Sequence, residues 1–175
     1  MKYLPLLFIL LLAACHTEEI APDQLYWYQP RLAKRQFELK KNDQVIATLV
    51  WSWSSATKAT FQENGQEWRF QQPNWFKNQI CIQNLTTGQE IGSFRPRGFF
   101  KNGYDLELNG TAYQIFFRPY RVVLCDVQGN QLIELTRADN RRKAVKGMPP
   151  TDNMLLAVLR YLQQKADDEA NNANL

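Results

Sequence analysis

One stretch near the C-terminus restricts the fold more than any other. In "DNMLLAVLRYLQQ", residues 152–164, Met154 to Leu159 are six consecutive apolar residues. At about 100° per residue they surround a helix axis. Only further along do Arg160, Gln163 and Gln164 gather on one side. A helix apolar all round is buried all round. Its apolar run of about nine residues falls well short of the roughly 20 that span a bilayer. Thr151 or Asp152, after Pro149 and Pro150, is suited to cap its first turn. The rest of the chain must therefore enclose it.

That rest reads as strands. "FELKKNDQVIATLVWSW", "TFQENGQEWRF", "ICIQNLTTGQEIGSF", "YDLELNGTAYQIFF" and "VVLCDVQGNQLIEL" each fold about a centre able to take left-handed backbone angles. The centres are Asn42-Asp43, Asn64-Gly65, Thr87-Gly88, Asn109-Gly110 and Gln128-Gly129. Asn-Gly between alternating arms is a strong hairpin signal. In the first hairpin Val45, Ala47, Leu49, Trp51 and Trp53 recur at the period of two that a half-buried strand requires. "QLYWYQP" adds a strand near the start. The expected fold is mainly β: a closed antiparallel barrel of about 10–12 strands around a central hydrophobic C-terminal helix. Two stacked sheets are the other way to hide so many edges. Hydrophobic residues make up 45% of the chain, enough for such a core. "RADNRRKAVKG", residues 137–147, reads as a basic loop, either plainly solvated or attractive to anionic lipid or polymer. Residues 165–175, "KADDEANNANL", read as a disordered tail.

The N-terminus carries an address. Lys2 precedes an apolar run, Leu4 to Leu12, and small residues lead into Cys15. This is a secretory signal, too short for a spanning helix. The arrangement Leu12-Ala13-Ala14-Cys15 resembles the bacterial lipobox, whose cysteine is acylated and becomes the first residue. The resemblance implies a signal peptide over residues 1–14, a lipid (diacylglycerol and palmitate-type chains) on Cys15, and a tether over residues 15–24. His16 rather than Asp after the cysteine favours, by analogy with lipoprotein sorting, the outer membrane of the cell envelope. The formal charge of +4 falls to +3 once Lys2 leaves with the signal. That is too weak an excess to indicate nucleic acid.

The order of the elements, "FELKKNDQVIATLVW", "ICIQNLTTGQEIGSF", "YDLELNGTAYQIFF", "VVLCDVQGNQLIELT" and then "MLLAVLRYLQQ", resembles the tubby C-terminal/LURP-one-like family, whose fold is shared with phospholipid scramblases. The resemblance spans residues 30–164 and implies a barrel domain over 25–164. Eukaryotic tubby domains bind phosphoinositide headgroups through basic side chains. Those positions have no residue-by-residue match here, so that activity is not carried over.

The chemistry in the sequence is sparse. The one histidine, His16, lies on the tether. The barrel therefore lacks the residues for histidine-dependent triads and most zinc sites, and no cofactor, metal or catalytic residue is expected. Cys81 and Cys125 sit in strand-like runs, either as a disulfide in an oxidising compartment or as two small buried apolar groups. Asp105 and Glu107 share one face of a strand, the spacing of a carboxylate pair or of an ordinary solvated face. "FRPRGFFKNGY" places Arg95, Arg97 and Lys101 beside Phe99-Phe100. These cations either contact an anionic ligand or membrane, or are solvated beside a hairpin connection. The expectation is a non-enzymatic, membrane-anchored envelope lipoprotein that binds a lipid headgroup, a glycan or a protein partner. The alternative is an open-lumen carrier or a carboxylate-dependent hydrolase.

Overall fold

The structure, a computed structural model, describes residues 20–21, 23–31, 35–52, 55, 57–73, 78–98, 103–137, 141–147 and 152–172. The signal segment, Cys15, Trp53 and Lys101 lie outside the described residues.

Among the described residues the chain forms twelve strands and one helix. The strands are β1 (Tyr26–Tyr28), β2 (Gln36–Lys41), β3 (Gln44–Trp51), β4 (Ala59–Glu63), β5 (Gln66–Gln71) and β6 (Ile80–Asn84). They continue with β7 (Glu90–Pro96), β8 (Gly103–Leu108), β9 (Thr111–Arg118), β10 (Arg121–Cys125), β11 (Gln131–Arg137) and β12 (Arg142–Gly147). The helix, α1, covers Asn153–Asn172. Every strand pairs antiparallel with its neighbours in sequence, and β12 returns to β1, so the sheet closes as a barrel. Closure leaves no edge to template aggregation.

The turn centres read from the sequence are the turns observed. Asn42, Asp43, Asn64 and Asn109 hold positive φ, as do Gly65, Gly88, Gly110 and Gly129. Because the topology is up-and-down, these five turns share one end of the barrel. The longer connections and the Pro119-Tyr120 turn share the other. We call them the turn end and the loop end.

The two faces of the wall have opposite character. Phe37, Leu39, Leu49, Trp51, Phe61, Phe70, Ile82, Phe94, Leu106 and Ile115 point inward and are buried. Gln62, Arg69, Arg95, Glu107, Arg118 and Arg121 face out and are exposed. A membrane-spanning barrel shows the reverse, an apolar belt outside and polar groups within. This wall faces water. No described helix is long and apolar enough to cross a membrane.

α1 fills the lumen. Met154, Leu156, Ala157, Val158, Leu159, Tyr161 and Leu162 are each at most 2% exposed and belong to one core with the inward strand residues. Asp152 caps the first turn, its Oδ1 accepting from Met154 N at 2.8 Å. Asn153 Nδ2 donates to Glu63 Oε1 at 2.5 Å, fixing that end against the turn end.

Three expectations require correction. Residues 165–172 are helical rather than a disordered tail. The sequence signal for helix was apolar periodicity, which stops at Leu162, whereas the extension is held by polar pairs. Gln164 Nε2 donates to Asp168 Oδ1 at 2.8 Å, Lys165 meets Glu169 at 3.2 Å, and Arg35 of the barrel meets Asp168 at 3.4 Å. Second, Arg142–Gly147 is not a loop but β12, the strand that closes the barrel. Its polar outer positions hid the alternation that Val145, facing inward, belongs to. Third, Val45 is 50% exposed. A register shift between Leu39 and Lys40 breaks the alternation there, so Val45 leaves the face that Ala47, Leu49 and Trp51 share.

Candidate functional site

The lumen is the usual ligand site of a barrel, and here it is occupied. Tyr161 lies between Trp51 and Phe70, with ring centroids 4.4 Å and 5.2 Å away and nearly parallel planes. Phe94 meets the same ring edge-on at 5.5 Å. The Tyr161 hydroxyl donates to the Thr57 carbonyl at 2.9 Å. Burial pushes its pKa well above the ordinary tyrosine value. An open-lumen carrier needs space that the helix takes.

One charge is enclosed with it. Arg160 is 3% exposed and stacks its guanidinium 3.8 Å from the centroid of the Phe37 ring. Its Nη2 donates to Gln164 Oε1 at 3.1 Å, while Nε and Nη1 have no hydrogen-bond partner among the described residues. Burial lowers its pKa to about 10, against the opposing pull of Asp167 and Asp168.

On the outer wall, β7, β8 and β9 frame a cleft of about 340 Å³. Ser93 and Arg95 of β7, Asp105 and Glu107 of β8, and Tyr113 and Gln114 of β9 line it, with Gln79 at the loop end. Cross-strand register explains the grouping, since Arg95 faces Asp105 and Asp105 faces Gln114. Arg97 holds the rim together. Its Nε meets Asp105 Oδ1 at 3.0 Å, its Nη1 donates to Gln114 Oε1 at 3.1 Å, and it lies 5.2 Å from the Phe116 ring centroid. Arg97 is thus committed to the wall, whereas Arg95 is exposed. The third cation of that group, Lys101, lies outside the described residues, as do Phe99 and Phe100. Asp105 and Glu107 do share the outward face, with Leu106 and Leu108 buried behind them. Asp105 is already paired with Arg97, so the two are not an isolated carboxylate couple.

Cys81 and Cys125 are free thiols, not a disulfide. They stand on β6 and β10, with β7, β8 and β9 between them in the wall. Burial raises the Cys125 pKa, helped by Asp126 and opposed by Arg118, so its thiol is a weak nucleophile. Among the described residues no group of three or more His, Cys, Asp or Glu side chains is placed to hold a metal ion.

A second feature of the outer surface escaped the sequence reading. The β9–β10 turn, Arg118-Pro119-Tyr120-Arg121, lies at the loop end beside the connection after Arg97. The signal was available: "FRPYR" at 117–121 echoes "FRPR" at 94–97. Tyr120 is 80% exposed and holds φ at +63°. Exposed Arg31, Lys58, Arg95 and Arg118 belong to the loop end, while at the turn end Asp43, Glu63, Glu90, Asp126 and Asp152 outnumber the exposed Lys41 and Lys146. The barrel is thus electrically polarised along its axis.

Comparison of the chain with protein-family models, with curated proteins and with solved structures returned no match.

Proposed function

We propose that this chain is a non-enzymatic lipoprotein of the bacterial envelope, held to a membrane through acylated Cys15, whose barrel binds a lipid headgroup, a glycan or a partner protein through its outer surface. The observation that carries the reading is the filled lumen. With α1 packed through the axis, recognition falls to the wall and the loop end, where the cleft at Arg95 offers a cation, two carboxylates, two amides and two hydroxyls together. Such convergent polar groups fix the orientation of a small polar ligand. The tubby/LURP-one-like resemblance belongs to the same reading, supported by the order of hairpins and final helix, and outer-membrane placement follows from His16.

Expression of the intact chain in a two-membrane bacterium, with radiolabelled palmitate and membrane fractionation, tests the anchor. The wild-type chain incorporates label and sediments with outer membranes. Cys15→Ala incorporates none and moves to the soluble periplasmic fraction. Affinity capture of the acylated chain from its envelope tests the binding role, with Arg95→Gln losing whatever lipid, glycan or protein the parent retains. An unlabelled parent, or a captured partner indifferent to Arg95, contradicts the respective half of the reading.

A further inference from the structure

We propose that the β9–β10 tip is a membrane-interface contact, with the Tyr120 ring seated among the headgroups of an anionic bilayer and Arg118 meeting their phosphates. Three departures from ordinary hairpin chemistry coincide there. First, Tyr120 occupies the second central position of a Pro-X turn at φ +63°, a place that suits glycine and strains a bulky side chain. The five turns at the opposite end fill their positive-φ positions with Asn, Asp or Gly. Second, that same ring is 80% exposed, so no packing holds it in its strained place. Third, Arg118 faces Arg121 directly across the two strands, a like-charge pair that the hairpin itself opposes. Among the described residues only one of the two has an ion-pair partner: Arg121 Nη1 meets Glu134 at 3.1 Å. Local rules broken together at one exposed place point to a partner outside the fold.

The chemistry of the tip favours a bilayer over an acidic protein. Tyrosine has an apolar body and a polar end, which suits the headgroup layer. A protein hot spot needs a surrounding apolar ring and a broad contact. The other large apolar side chains exposed among the described residues, Val45, Val50 and Val127, are not beside Tyr120: Val45 and Val127 border turn-end hairpins and Val50 is on β3. The axial charge separation supports the same orientation. Arg31, Lys58 and Arg95 accompany the tip at the loop end, and an anionic surface repels the acidic turn end. α1 also brings Asp167, Asp168 and Glu169 to the loop end; Asp168 is engaged by Arg35 and Glu169 by Lys165, and exposed Asp167 is outnumbered by Arg31, Lys58, Arg95 and Arg118.

The inference deepens the proposed membrane role without depending on acylation. The test therefore uses the full chain carrying Cys15→Ala, co-sedimented at low salt with vesicles of phosphatidylcholine alone or with about 30% phosphatidylglycerol. Binding is expected only to the anionic vesicles and is lost on raising the salt. Arg118→Gln reduces the partition constant about fivefold, as for one basic side chain at a charged surface. Tyr120→Gly relieves the strained turn, keeps or raises the thermal midpoint, and still weakens binding. Lys41→Gln, at the turn end, leaves it unchanged. Equal binding to both vesicle types, or tip variants that bind like the parent, overturns the proposal. So does a Tyr120-dependent acidic protein captured without any vesicle binding. Failure here leaves palmitate labelling of Cys15 untouched, so the two readings fail separately.

Discussion

At the residue scale, Arg160 is the anomaly. A guanidinium inside an apolar barrel is costly unless its donors are met, and two of its nitrogens find no partner among the described residues. The Phe37 ring and Gln164 offset part of that cost. Replacing such a buried charge by an apolar side chain of similar length is often neutral or stabilising. Arg160→Met is expected to raise the unfolding free energy at pH 7 by about 1–2 kcal/mol, measured by urea titration. The pH dependence gives a second readout. The folded pKa of about 10 lies below the ordinary 12.5, so folding carries the burden of a protonated Arg160 at every pH below about 10. As pH rises through that value the folded state releases its proton before the unfolded chain does, and the burden fades. The advantage of Arg160→Met should therefore be full at pH 7 and shrink above pH 10. Tyr161 and Tyr26, both raised, have the opposite effect on alkaline stability, but parent and variant share them, so the difference between the two isolates Arg160. A gain that persists unchanged to pH 12 contradicts this account.

At the element scale, α1 has two halves held by different forces. Residues 154–162 are inside the barrel, and their stability is apolar burial. Residues 165–172 emerge at the loop end and depend on side-chain pairs with part-exposed partners, each of them weak. Truncation after Gln164 should leave a folded barrel, with the loss limited to about 1 kcal/mol and read as a drop of a few degrees in thermal midpoint. Collapse of that truncated chain would mean the extension is integral to the core. The same division explains what the sequence disclosed. Apolar periodicity marks the buried half of α1 and the inward faces of β2 to β11. It is silent about the outer half of the helix, about β12, and about the register shift that displaces Val45, because those depend on polar contacts and on neighbours brought from far along the chain. The candidate cations show the same limit. Arg95 and Arg97 are equivalent in "FRPR", and only the registers of β8 and β9, which bring Asp105 and Gln114 alongside, separate a bound arginine from an exposed one.

At the scale of the whole molecule, shell and filling are one cooperative unit. Trp51, Phe70 and Phe94 come from three strands and meet on a single helical side chain, Tyr161. Leu159 is fully buried in that core. Leu159→Asp inserts a carboxylate with no partner, at several kcal/mol against a total stability of about 5–15 kcal/mol. The expected result is loss of the β-sheet circular dichroism signal together with the helix, not melting of the helix alone. A variant that kept the barrel signal with α1 released would show the wall to be self-sufficient.

The order of the parts along the chain has a cost in time. The staves are synthesised first and the axle last, and the seam between β1 and β12 joins Tyr26 to Ala144. Contacts so distant in sequence form slowly. A nascent chain released before residue 153 possesses every plank of the cask and nothing to hoop them around, and its greasy interior lies open to chaperones and proteases until the final segment is delivered.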